Sequence, residues 1–155
     1  MTPSQTIGPF FNFALTPDDS RSRMTGPGNV AERIRLRCSI VDGDGAPVND
    51  AMIELWQAEV RAFGRMETNQ DGLCVFETVR TPYVNVSIFA RGLLDRLVTR
   101  IYFEGDPANA ADPVLALVPE DRRHTLMALR DASDESVWNF DIRLSSDDET
   151  VFFEV

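Results

Sequence analysis

Apolar and polar residues alternate with a period of two over several short stretches of the chain. The clearest stretch runs from Arg33 to Ile40, where the even positions are apolar and the odd positions carry arginine or serine. This is the pattern of a half-buried β-strand. The same reasoning predicts further strands over residues 51–57, 73–79, 84–88, 97–103, 138–144 and 150–155.

Turn-forming segments such as Asp42–Gly45 and Asp71-Gly72 separate these stretches. One short helix is predicted where Pro119, Glu120 and Asp121 place a proline and two acids at a helix start, with Leu126 and Leu129 on one side. The chain has no βαβ alternation and no internal repeat. Seven or eight short strands therefore favour an all-β fold, an antiparallel β-sandwich.

The first 30 residues carry a different pattern. Four prolines interrupt any regular element there, while Ile7 and three phenylalanines are apolar groups that seek burial. We expect residues 1–30 to form an extended N-terminal arm that packs on residues 31–155 or on another subunit. The 155 residues, 43% of them hydrophobic, are enough for one domain overall.

Composition narrows the classes of function. A net charge of −10 with scattered basic residues argues against a nucleic-acid surface. Cys38 and Cys74 lack metal-binding spacing and are expected to be buried free thiols. The N-terminus has no secretory pattern and no apolar run is long enough for a membrane span, so we expect a cytoplasmic protein.

The segment Asp42–Ala58 (DGDGAPVNDAMIELWQA) begins like a calcium loop, but Ala46 stands where a third oxygen ligand belongs, so a hairpin turn is the better interpretation. Its pattern also occurs in β-sandwich binding modules. A non-catalytic binding or interaction module is therefore an alternative for the whole chain. Glu54 and Glu59 are not an acid–base pair, because their spacing in a strand puts them on opposite faces.

A more specific resemblance rests on segments spread over the whole chain and occurring in a fixed order. They are Thr2–Phe11 (TPSQTIGPFF), Ile53–Glu59 (IELWQAE), Phe63–Arg65 (FGR), Asp71–Val79 (DGLCVFETV), Val84–Gly92 (VNVSIFARG), Arg100–Asp106 (RIYFEGD) and Phe140–Val155 (FDIRLSSDDETVFFEV). With them the chain resembles the intradiol ring-cleavage dioxygenases. The opening and closing segments are similar to the alpha chains of the members that act on protocatechuate.

The resemblance implies chemistry that this chain cannot complete alone. Iron-bearing chains of the family hold Fe(III) with two tyrosines and two histidines, and their His-x-His pair falls where this chain reads Tyr83-Val84-Asn85. The chain has one histidine, His124, expected to be a solvated helix residue, and only one tyrosine besides Tyr83. The resemblance thus implies an iron-free alpha subunit with no metal or catalytic residue of its own.

Such a subunit works with a homologous beta subunit that binds Fe(III), in a higher-order αβ oligomer. The implied reaction is cleavage of protocatechuate by O2 to 3-carboxy-cis,cis-muconate. The alpha chain would contribute to the substrate pocket through residues that match the family motifs: Thr6, Gly8, Pro9, Phe10 and Arg91. Two alternatives stay open, a surface salt bridge for Arg91 and core or interface packing for Phe10.

Two departures from the family pattern are visible in the sequence. The connections after Ala58 and after Val79 are short, which implies a smaller lid over the site.

Trp56 and Trp138 both lie in alternating strands and are expected to be core residues.

Overall fold

The computed structural model describes residues 15–16, 18–24 and 31–154. These residues form eight strands with the following bounds: β1 Arg33–Val41, β2 Met52–Gln57, β3 Ala62–Glu67, β4 Leu73–Val79, β5 Tyr83–Phe89, β6 Leu97–Phe103, β7 Met127–Arg130 and β8 Val137–Arg143. The prediction of an all-β chain with about eight strands is confirmed.

The strands form one mixed sheet in the order β3-β2-β5-β6-β7-β8-β1-β4. Two of its pairs, β1 with β8 and β6 with β7, are parallel, so a purely antiparallel arrangement is wrong. The predicted sandwich is not confirmed, because the short pairing of Tyr102 and Phe103 with Met127 and Ala128 joins the two halves into one continuous sheet.

The sheet curls until its edge strands β3 and β4 approach each other, and residues 19–24 fill the space between them. Met24 donates a backbone hydrogen bond to the Glu77 carbonyl of β4 at 2.9 Å. On β3, an added Cβ at Gly64 would lie 2.7 Å from Met24 Cγ and 2.8 Å from Phe76 Cδ1. Glycine is required there, and the result is a nearly closed barrel.

Alternation decides which side chains enter the barrel. The even positions of β1 from Ile34 to Ile40 are buried, as predicted, and the odd positions lie on the outer face. The inward residues of the strands make one apolar cluster, while Tyr102, Leu115, Val118 and Leu126 make a second one outside β6. Trp138 is buried and packs edge-on against Phe103 at 5.1 Å between ring centroids.

The helical elements differ from the single predicted helix. The segment Glu120–Leu126 is a 3-10 helix, and Leu129 belongs to β7 with its side chain exposed. An α-helix, Pro113–Leu117, and the 3-10 helices Asp19–Ser22 and Pro107–Ala111 are additional. An aspartate side chain caps each of these three additional segments, at Asp18, Asp106 and Asp112. A capping aspartate is a local signal of a helix start that hydrophobic periodicity does not contain.

Three further expectations can be compared with the structure. Residues 150–154 are extended but form no strand; Phe153 donates a backbone hydrogen bond to the Val98 carbonyl at 2.8 Å. Cys38 and Cys74 are buried free thiols, as predicted. Within the described part of the chain, no helix has the length and apolar character needed to cross a membrane.

The two turn glycines Gly72 and Gly45 allow a matched test of packing at the β1–β4 edge. Both have a positive φ, +71° and +78°, but a Cβ at Gly72 would lie 2.6 Å from the Ile40 carbonyl oxygen, whereas no atom lies within 4 Å of one at Gly45. We expect Gly45→Ala to cost about 1 kcal/mol of unfolding free energy and Gly72→Ala about 3 kcal/mol. Urea unfolding measures both, and equal losses would contradict the described packing.

Candidate functional site

The strand that carries the family's His-x-His position presents Tyr83 and Asn85 on the outer face of the sheet. Val84, between them, is buried in the barrel, because successive side chains of a strand point to opposite faces. The candidate site is therefore outside the barrel, on β5 and its neighbour β6.

Arg100 of β6 lies directly opposite Asn85 in the β5–β6 register. Its Nε donates to Asn85 Oδ1 at 3.1 Å, and its guanidinium carbon lies 4.3 Å from the centroid of the Tyr83 ring. The side chain is only 22% exposed. A fixed cation thus lies against both residues at the position that carries imidazoles in iron-bearing chains.

Asp112 provides the opposite charge in this cluster. Its Oδ2 lies 3.8 Å from Arg100 Nη1, and its Oδ1 accepts a hydrogen bond from the Tyr102 hydroxyl at 2.9 Å. The same oxygen accepts the backbone N–H groups of Val114 and Leu115 at the start of the helix Pro113–Leu117. One carboxylate therefore caps a helix and orients a phenol and a guanidinium.

Tyr102 is kept as a neutral phenol in this environment. Burial raises its pKa to about 12; the contact with Arg100 opposes this rise, and the hydrogen bond to the Asp112 carboxylate adds to it. A phenol that holds its proton this firmly is a poor source of the phenolate that ferric iron prefers.

The residues at this position do not fit a ferric ion. A phenol and an amide stand where the resemblance places two imidazoles, and a guanidinium, which cannot bind a metal, lies against both. Among residues 15–16, 18–24 and 31–154, no group of three or more His, Cys, Asp or Glu side chains is arranged to hold a metal. His124 is mostly exposed and pairs with Asp148 at 2.6 Å, which agrees with the predicted surface histidine.

A buried amide fixes the two short connections beside the site. Gln57, at the end of β2, donates to the Val79 carbonyl and to Thr81 Oγ1, both at 2.8 Å, and accepts from Thr78 Oγ1. It is 1% exposed. The segment after β2 and the segment after β4 are thereby held together, which leaves little freedom for either to fold over β5.

One tryptophan lies in a different place from the one expected from the sequence. Trp56 and Phe63 face each other across β2 and β3, and they are 44% and 39% exposed. Trp56 also lies opposite Asn85 across β2 and β5. The prediction that Trp56 is a core residue is wrong, because it lies on the outer face next to the candidate site.

Arg91 does not join this cluster. It follows β5 at the end opposite Tyr83, six residues beyond Asn85, which corresponds to roughly 20 Å along an extended chain. Its Nη2 pairs with Asp50 Oδ2 at 2.7 Å, and its side chain is 77% exposed. The alternative that the sequence left open for Arg91, a surface salt bridge, is therefore observed. The other pocket residues from the sequence, Thr6, Gly8, Pro9 and Phe10, lie outside the described residues.

Comparisons with known proteins identify the family. A protein from Burkholderia cepacia named protocatechuate 3,4-dioxygenase alpha chain is 39% identical over 191 aligned positions, which cover 99% of this chain and 97% of the relative. The protein of the same name from Pseudomonas putida is 33% identical, with 99% and 96% covered. The chain belongs to the protocatechuate 3,4-dioxygenase alpha-chain family. No protein-family model matches it.

Two further comparisons extend the family relationship. The protocatechuate 3,4-dioxygenase beta chain of Burkholderia cepacia is 26% identical over 158 positions, covering 81% of this chain and 65% of that protein. The dioxygenase domain of a carbohydrate-binding fusion protein from Streptomyces sp. SirexAA-E has a TM-score of 0.65 at 21% identity, with 94% of this chain and 98% of that chain covered. At this identity the structural likeness shows the fold alone.

The alpha-chain relatives are longer than this chain, and their likeness to it extends well beyond the segment shared with binding modules. The alignments run over 191 and 192 positions, while this chain has 155 residues, so the relatives contain insertions that it lacks. Because the alignments include nearly the whole chain, the likeness is not confined to Asp42–Ala58, on which the binding-module alternative depends.

Sequence reasoning missed Arg100 and Asp112. Arg100 lies at the start of the segment Arg100–Asp106 that carries part of the family resemblance, but an arginine in a strand usually indicates a solvated position. Asp112 precedes Pro113, and an Asp-Pro pair is a helix-start signal that could have located the carboxylate next to the sheet.

The Asp112 cluster predicts a difference between two substitutions. Asp112→Ala removes the helix cap and the acceptor for Tyr102, so we expect a loss of about 2 to 3 kcal/mol of unfolding free energy. Asp112→Asn keeps an acceptor oxygen and should lose less than half of that. Urea unfolding of the two variants tests this, and an alanine variant as stable as the asparagine variant would show that the cap is not used.

Proposed function

We propose that this chain is the iron-free alpha subunit of a protocatechuate 3,4-dioxygenase, active with a homologous beta chain that holds Fe(III). The observation that carries the proposal is the Arg100 guanidinium, fixed by Asn85 and stacked on Tyr83. This guanidinium lies against both residues and has no lone pair to offer a metal, so in this proposal the ferric ion comes from the partner. The likeness to a beta chain supports a sister chain of related fold.

The reaction we assign to the complex is cleavage of protocatechuate between its two hydroxyls by O2, giving 3-carboxy-cis,cis-muconate. The ferric ion of the beta chain would supply the ring-opening chemistry. The alpha chain would add walls to that pocket, exclude water and bind the substrate carboxylate. Assembly of several αβ units and a cytoplasmic location are part of the same proposal.

Within this proposal, Arg91 is the carboxylate-binding residue that the alpha chain lends. Three-quarters of its side chain is accessible, and its described partner is the half-buried Asp50. An exposed pair of this kind contributes little, so exchanging Asp50 for a substrate carboxylate costs little. A guanidinium can also bind a carboxylate through two parallel hydrogen bonds.

Residues 1–30 are proposed to form the arm that packs on the beta chain, with Thr6, Gly8, Pro9 and Phe10 lining its pocket. A Gly-Pro bend would let backbone approach a planar ligand closely. Residues 31–155 would form the domain that positions both the arm and Arg91.

Iron content tests the metal assignment. The chain purified alone should contain no stoichiometric iron and should not cleave protocatechuate, and co-purification with a sister beta chain should give an iron-containing, active complex. Metal analysis and oxygen uptake provide the two measurements. Stoichiometric iron and turnover in the lone chain would contradict the proposal.

Arg91→Ala in the assembled complex tests the carboxylate contact. Loss of a charge-assisted pair of about 1.5 to 3 kcal/mol predicts a kcat/KM for protocatechuate reduced by about 10- to 100-fold, mainly through KM. Catechol, which lacks the carboxylate, should be affected much less. Steady-state kinetics with both substrates provides the measurement.

Asp50→Asn is the matched control for this experiment. It removes the partner of Arg91 but leaves the guanidinium in place, so KM for protocatechuate should stay the same or fall. If Asp50→Asn and Arg91→Ala impair both substrates equally, the salt bridge supports the local fold and direct carboxylate binding is wrong.

A further inference from the structure

Cys38 and Cys74 are directly opposite each other in the antiparallel pair β1–β4. Both are free, and both side chains belong to the apolar cluster inside the barrel. They lie far along the chain from each other but adjacent in the sheet. None of the functions proposed above uses them.

The Cα–Cα separation of this pair lies within the disulfide range, while its Cβ atoms have to move closer together for the bond to form. Ile40 N–H donates to the Gly72 carbonyl at 2.9 Å, and Arg80 N–H donates to the Glu32 carbonyl at 2.8 Å. Hydrogen-bonded and non-hydrogen-bonded pairs alternate along an antiparallel ladder, which makes Cys38–Cys74 a hydrogen-bonded pair. Such pairs have a Cα–Cα distance of about 5.5 Å, within the range of about 4.4 to 6.8 Å in disulfides.

The two thiols differ in their access to solvent. Cys74 is 5% exposed and lines an open groove of about 350 Å³ together with Met66, Thr68 and Val75. Cys38 is fully buried. The difference in exposure predicts that a small oxidant in the groove reaches Cys74 before it reaches Cys38.

We propose that Cys38 and Cys74 form an oxidative modification site, which a hydroperoxide converts to an intramolecular disulfide. The Cys74 thiolate attacks one peroxide oxygen, the O–O bond breaks, and a sulfenic acid and water form. The Cys38 sulfur then attacks Cys74 Sγ, the S–S bond forms and hydroxide leaves as a second water after taking a proton. Two thiols are oxidised and one hydrogen peroxide is reduced to two waters.

The electrostatics agree with this order of events. The hydrogen bond with Cys74 raises the pKa of the Cys38 thiol well above its usual value, and burial raises it further. A thiol that holds its proton in this way is a slow target for peroxide but can still act on a sulfenic acid a few ångströms away.

The disulfide would change how the barrel edge is held. Among the described strands, β4 is an edge strand that pairs with β1, and its Glu77 carbonyl accepts the backbone N–H of Met24. A covalent bond to β1 would fasten this strand and the segment next to it. This inference is independent of the proposed dioxygenase role.

Intact mass measurement on the reduced full-length chain tests the site. The chain is treated with hydrogen peroxide while folded, which circular dichroism verifies, then denatured and treated with N-ethylmaleimide. We expect a species lighter by two hydrogens that takes up no maleimide and yields a peptide joining residues 38 and 74. Two maleimides on every molecule after treatment, or disulfides only between chains, would overturn the proposal.

Two single variants separate the roles of the cysteines. In Cys38→Ala, Cys74 should gain one or two oxygens, because no thiol is present to resolve its sulfenic acid. In Cys74→Ala, Cys38 should keep its thiol over the same time. Oxidation of Cys38 at the same rate in that variant would contradict access through the groove, and the wild-type measurement decides the disulfide even where a variant fails to fold.

Discussion

The contact between the Arg100 guanidinium and the Tyr83–Asn85 strand constrains everything else at this face of the sheet. It places a permanent positive charge, only 22% exposed, between an amide, a phenol ring and the Asp112 carboxylate. Asp112 balances this charge and also starts the helix Pro113–Leu117. The local fold and the exclusion of a cation from this place therefore depend on the same few atoms.

The two short connections, after β2 and after β4, lie beside this cluster and are held in place by one buried side chain. Gln57 ties the end of β2 to Val79 and Thr81, so that neither connection extends over β5. A buried amide with its donors and acceptor satisfied stabilises one conformation, whereas the same amide without partners would cost several kcal/mol. In the part of the chain that the structure describes, Trp56 and Phe63 stay accessible on the outer face beside the polar cluster.

Sequence patterns predicted those parts of the fold that local alternation decides. Strands β1, β4 and β6 were located to within a residue or so, because apolar or small residues recur at every second position of each and face the barrel interior. In β6 the outward-facing Tyr102 is buried as well, by the second cluster. Strand β3 was missed because Gly64 and Arg65 interrupt its apolar pattern. Strand β7 was missed because Leu126 and Leu129 have helical spacing. The junction of β6 with β7 depends on long-range pairing, which no local pattern specifies. At the candidate site, the replacement of the family's histidines was evident from the residues, but the Arg100–Asp112 contact depends on how the chain turns back after β6 through the 3-10 helix Pro107–Ala111.

The two tryptophans end up in opposite environments, with Trp56 at 44% exposure on the outer face and Trp138 at 2% inside the barrel. Indole fluorescence responds to solvent, so these residues report separately on surface and interior. A blue shift of the tryptophan emission on mixing with another subunit would come from Trp56 and would show that this face is covered. A red shift would come from Trp138 and would show that the barrel has opened.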